Sequence, residues 1–183
     1  MRRFAPWLGV AAALALVALP AAIAANPGVN HFEFSDTFTD DNFCGTGETV
    51  SGTVSGHGTE FFAPNKPVDY WNTTEGKVRF TNPLNGTTVI LHFAGPFLAT
   101  VISGDPETGT FVEEITNIGL PELIRLAHGG VLSRDAGVIG FRNTWVDDEL
   151  VSSEIIFNKG PHPNAESDFE RFCEVMTDAL GLN

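Results

Sequence analysis

The stretch Asn82-Pro83-Leu84-Asn85-Gly86-Thr87-Thr88 joins two runs in which apolar and polar residues alternate, KVRFT at 77–81 and TTVILHF at 87–93. An Asn-Gly pair between such runs is the strongest short-range signal for a β-hairpin, because both residues tolerate the backbone angles of a tight turn. Two antiparallel strands are therefore expected, Lys77–Thr81 and Thr87–Phe93. The same texture extends outward on both sides. Further strands are expected at His31–Ser35, Glu48–Val54, Phe97–Ser103, Thr110–Thr116, Val131–Arg134, Gly137–Trp145 and Leu150–Phe157. A second turn lies in SGDPETGT, with Asp105-Pro106 and Gly109. Short strands with a turn every ten or so residues describe an all-β meander, and closing it into a barrel removes exposed edges. The expected fold is mainly β: a single antiparallel, calycin-like barrel with a C-terminal α-helix.

Two segments depart from this texture. LPELIRLAHGG, residues 120–130, places Leu120, Leu123, Ile124 and Ala127 at helical spacing, with Pro121 in a first-turn position; it also suits a strand ending at Gly129-Gly130. Between about residues 164 and 180, Phe169, Phe172, Cys173, Met176 and Leu180 recur at the spacing of one helical face. Glu166 and Asp168 fall in its first turn and Gly181 follows its end, which completes an amphipathic helix with Cys173 on the buried stripe.

The chain opens MRRFAPWLGVAAALALVALPAAIAANPG. Arg2 and Arg3, an apolar run from Leu8 to Leu19 and the small-residue triplet Ala22-Ile23-Ala24 form the three parts of a signal peptide. Residues 1–24 are read as that peptide and residues 25–183 as one exported domain, with no stable membrane insertion after cleavage. Removing the peptide leaves 159 residues with a formal charge of −15. Such a charge repels nucleic acid, and lysine occurs only at 66, 77 and 159, leaving no basic stripe along the chain. Nucleic acid is excluded as a partner.

Cys44, in DDNFCGTGETV, and Cys173, in ERFCEVM, are the only cysteines. A reactive thiol needs a lowered pKa, yet Asp40, Asp41 and Glu48 surround Cys44 in sequence and act the other way. Neither cysteine has a second Cys or a His at zinc-site spacing. In an exported chain the two are expected to pair with each other, enclosing a loop of about 130 residues that the chain-entropy account values at about 5 kcal/mol.

No catalytic or phosphate-binding motif is present. The glycine-rich GTGETVSGTVSGHG has no following lysine or helix, and no G-x-S-x-G elbow occurs. The five histidines are scattered, and the acids at 36, 40 and 41 lack the spacing of a calcium loop. Neither a metal nor a cofactor is expected. Asn72-Thr73-Thr74 and Asn85-Gly86-Thr87 match the glycosylation triplet, which matters only in a eukaryotic secretory route.

One alternation bears on binding. In GVIGFRNTWV, Ile139, Phe141, Asn143 and Trp145 share a face, so Asn143 is a lone amide among aromatic and aliphatic groups. In a barrel, that face would line a cavity in which sparse polar groups orient an apolar ligand; the same pattern suits a core amide bonded to backbone or water. His92 interrupts an apolar strand in the same manner. Asn143, Trp145 and His92 are the candidate ligand-binding residues.

NFCGTG, DAGVIGFRNTW and KGPHPNAESDFERFCEVM together resemble a group of exported actinobacterial proteins with an N-terminal and a C-terminal Phe-Cys element around a glycine-punctuated β body. The resemblance spans about residues 29–180 and implies the fold, export and the cysteine pair, without an activity. At the level of architecture the chain is similar to calycin and allene-oxide-cyclase-like barrels. Two functions follow as expectations: a secreted barrel that binds a small apolar ligand or an extracellular protein, or a cofactor-independent cyclase or isomerase acting on a lipid-like substrate inside the barrel.

Overall fold

A computed structural model describes residues 28–62, 70–167 and 169–182. The expected signal peptide and Asp168 lie outside the described residues. Seven strands follow one another: β1 (Gly28–Asp40), β2 (Val50–Phe62), β3 (Tyr70–Thr81), β4 (Thr88–Asp105), β5 (Thr110–Leu126), β6 (Val131–Val146) and β7 (Glu149–Lys159). Two helices close the chain, α1 (Pro163–Glu166) and α2 (Glu170–Leu180). The sheet order is β1 to β7 without a crossover, every ladder is antiparallel, and the sheet rolls into a β-barrel.

The strands are longer and fewer than the nine read from the sequence. Glycines that look like turn residues lie inside ladders: Gly95 in β4, Gly119 in β5 and Gly137 in β6 have φ of 142°, 103° and 131°. A Cβ on Gly95 would collide with the Ile118 carbonyl, and one on Gly137 with the Lys159 carbonyl. These glycines bend strands where neighbouring backbones approach closely, instead of ending them. The 120–126 segment is strand, paired to both β4 and β6 through an irregular register near Gly119.

A second use of glycine shapes the wall between β1 and β2. Phe32, Phe34 and Phe38 alternate on the inward face of β1, each directly opposite a glycine of β2: Gly58, Gly56 and Gly52. Each ring lies over its glycine, filling the space a side chain would take. Phe93 covers Gly76 across β3–β4 in the same way. The rings form a chain along the interior, with Phe34 and Phe93 stacked at a centroid distance of 6.4 Å.

The core fills one end of the barrel. Inward residues Val50, Val78, Phe80, Val89, Leu91 and Ile124 pack with Phe172, Val175, Met176 and Leu180 of α2. Burying each such large side chain contributes about 1.5–3 kcal/mol, so α2 is held mainly by this stripe. The continuous helix expected from about 164 is broken: α1 ends at Glu166, and Phe169 takes a left-handed φ of 64° before α2 begins. The break turns α2 onto the barrel end while Phe169 still packs against the core.

Cys44 and Cys173 form a disulfide with Cα atoms 5.4 Å apart, tying a short 3₁₀ turn (Phe43–Gly45) to the middle of α2. Phe43 beside it is fully buried against Phe80 and Phe172. No helix among the described residues is long and apolar enough to cross a membrane.

Candidate functional site

The inner wall changes character along the strands. At the α2 end, Val89 and Leu91 of β4 are buried. Farther along the same inward face, Phe97, Ala99 and Val101 are only half-buried. Aromatic and polar groups gather here, at the end remote from α2. Phe111 and Trp145, cross-strand partners, stack at 5.9 Å, and Tyr70 meets Phe97 edge-on at 6.1 Å.

Two carboxylates sit on this wall, each held by two donors. Trp145 Nε1 and Asn143 Nδ2 donate to Glu113 Oε1 at 2.8 and 3.3 Å, and Ser153 Oγ donates to Asn143 Oδ1 at 2.8 Å. Glu113 and Asn143 are register partners on β5 and β6, so the pleat alone brings them together. Across β1, β2 and β3, Asn30 Nδ2 donates to Glu60 Oε2 at 3.1 Å and the Tyr70 hydroxyl to Glu60 Oε1 at 2.7 Å. Asn72 Nδ2 in turn donates to the Tyr70 oxygen at 3.0 Å. Burial pushes the Tyr70 phenol up to about 12, with Asn72 opposing and Glu60 adding to the shift. Tyr70 is therefore a fixed hydrogen-bond donor at neutral pH.

The expected site residues thus divide. Asn143 and Trp145 share one network, in which Asn143 bonds to the side chains of Glu113 and Ser153. His92 is elsewhere: it alternates with Leu91 and Phe93 of the interior, so it faces outward. There it lines a groove of about 330 Å³ with Glu75, Leu123 and Arg125. Arg125 Nε donates to His92 Nε2 at 3.0 Å. Burial, then the Arg125 and Lys77 charges, hold the imidazole below its usual pKa and keep it a neutral acceptor.

A third polar cluster went unseen in the sequence, because its members are spread over more than forty residues. His162 and Asn164, fully buried at the start of α1, meet Asp135 and Glu122 of the barrel. Asn164 Nδ2 donates to Glu122 Oε2 at 2.6 Å, and His162 Nδ1 lies 3.8 Å from Asp135 Oδ2. Burial raises both carboxyls, Glu122 to about 7, with the neighbouring Asp135 charge contributing. The one sequence hint is the oddity of Glu122 inside the largely apolar stretch 120–126. The cluster anchors α1 to the barrel, with His162, Asn164 and Asp135 buried and Glu122 half-buried.

Among the described residues, no group of three or more His, Cys, Asp or Glu side chains could hold a metal ion. The shifted acids lie at the packed end and the aromatic, hydrogen-bonding wall at the other. Comparison with protein families, with curated proteins and with solved structures finds no match to this chain.

Proposed function

We propose that this chain is an exported binding protein that holds a small, largely apolar molecule against the inner wall remote from α2. The observation that carries this reading is the half-buried inward face of Phe97, Ala99 and Val101 beside the Glu113–Asn143–Trp145 network. Apolar surface with a few fixed polar groups is the composition of small-molecule sites. Export is supported by the Cys44–Cys173 pairing and by the signal-peptide pattern of residues 1–24. Tyr70 on that wall, held protonated by burial, serves there as a fixed hydrogen-bond donor, a role that suits holding a ligand.

The test is a titration with Nile red, a neutral apolar dye whose emission rises on burial. The wild-type protein is expected to bind it saturably, with energy transfer from Trp145. Asn143→Ala is expected to weaken dye binding at least fivefold in the folded variant, a loss beyond its cost in the urea midpoint. Equal losses of dye affinity and stability would assign Asn143 to the core alone and sink the proposal.

A further inference from the structure

We infer that the outer face of β3–β6 is a second, independent binding site, for a small amphipathic anion whose head meets Arg125 and its neighbours while its apolar body lies over Leu123. The register assembles what the linear sequence lacks. Lys77 pairs with His92, His92 with Leu123 and Leu123 with Arg134, a single row across four strands. In the next row Arg79 pairs with Ile90, and Ile90 with Arg125. Four of the ten basic residues of a chain with formal charge −13 therefore share one patch.

These cations are not there to pair with protein acids. Among the described residues, none of the four makes a salt bridge, whereas Arg142 and Arg171 elsewhere each contact a glutamate at 2.6 Å. Leaving like charges side by side costs stability through repulsion, which a bound anion relieves. The patch also has a built floor. Ile90 faces outward yet is only 5% exposed, flanked by Arg79 and Arg125, whose aliphatic stems suit such a role.

Arg125 is the centre of the site. Its Nε is committed to His92, which fixes the guanidinium plane, while its two terminal nitrogens have no acceptor among the described residues. A guanidinium held in this manner presents a planar fork suited to a carboxylate or similar oxyanion. Beside it, Leu123, Ala94 and Phe93 line the open groove of about 330 Å³. Glu75 stands on the opposite β3 wall and confines the anionic head to the Arg125 side. An extended polyanion would meet the surrounding acidic surface, so the occupant is compact.

Octanoate, octanol and octylammonium share one apolar body and differ in head charge, so they separate charge recognition from greasiness. In amide NMR titrations of the full protein, octanoate is expected to shift residues 91–94 and 123–125. Octanol should bind at least tenfold more weakly, and octylammonium should not compete. Arg125→Gln is expected to cost at least tenfold in octanoate affinity, and the exposed pair Lys77→Gln with Arg134→Gln severalfold. Arg171→Gln, remote from the patch, should change nothing. If Arg125→Gln loses its native spectrum, the Lys77/Arg134 variant carries the decision. Equal affinity for octanoate and octanol, shifts centred on Asn143 and Trp145, no octanoate binding, or binding indifferent to these substitutions would each overturn the inference. The Nile red titration of wild type and Asn143→Ala tests the interior site separately.

Discussion

The side-chain amide of Asn82 donates a 3.1 Å hydrogen bond to the backbone carbonyl of Leu180, almost a hundred residues later in the chain. The β3–β4 hairpin loop thereby caps the C-terminus of α2, and Asn85 Nδ2 donates to the same carbonyl at 3.0 Å. Asn82 is 2% exposed, and its Oδ1 also accepts from the Leu84 amide at 2.9 Å. Asn82→Ala removes both bonds at a buried position and is expected to cost about 2 kcal/mol in urea unfolding. Asn85→Ala, at an exposed position with Asn82 still in place, should cost about half as much. The order of the two losses checks the assignment.

The Cys44–Cys173 bond joins residues 129 apart in sequence. Its removal by the double substitution to serine frees a long loop in the unfolded chain and is expected to lower stability by up to about 5 kcal/mol. A thiol-reactive dye should label neither cysteine in denaturant without reductant and both after reduction. Stoichiometric labelling without reductant would refute the pairing.

At Gly56 a Cβ would lie 2.5 Å from both the Glu75 carbonyl oxygen and the Phe34 ring. Backbone cannot step aside as a flexible side chain can. Gly56→Ala is expected to destabilise by about 1–3 kcal/mol through overpacking, as measured by thermal or urea unfolding. At Gly86 nothing lies within 4 Å of such a Cβ, so alanine there carries only the cost of its φ of 73°. That penalty should be about 1 kcal/mol.

Glu122 gives a pH dependence of definite sign. Burial raises its pKa from 4.5 to about 7, so the folded chain keeps a proton that the unfolded chain has released. Its contribution is therefore complete below about pH 4.5 and lost as pH rises toward 7, with a ceiling of roughly 3 kcal/mol. The raised Asp135 acts in the same direction. Glu122→Gln cannot lose a proton and keeps an acceptor for Asn164. Relative to wild type it should be near neutral at pH 4 and stabilising at pH 8. Parallel urea midpoints across that range would contradict the assignment.

The fold was legible where a local rule and the tertiary context agree. Asn85-Gly86 does join two strands, and Phe172, Cys173, Met176 and Leu180 do form the buried stripe of a helix. Strand lengths were not legible, because Gly95, Gly119 and Gly137 carry a turn's signature while serving close backbone approach within ladders. The pairing of Phe32, Phe34 and Phe38 with three glycines depends on register, which periodicity leaves undetermined. Asn143 and Trp145 could be placed on one face by alternation, but their acceptor, Glu113, comes from a neighbouring strand. His92 lies on the outer face, apart from that network, and alternation along one strand could not show this because it does not say which face is inside.

The wall around Trp145 and Asn143 is proposed to hold a small molecule. Native mass spectrometry of the protein purified from a secreting host tests it most directly. An adduct of a small molecule is expected on the wild-type protein and depleted in Asn143→Ala. A bare polypeptide mass for wild type, unchanged when apolar compounds are supplied during secretion, would contradict it.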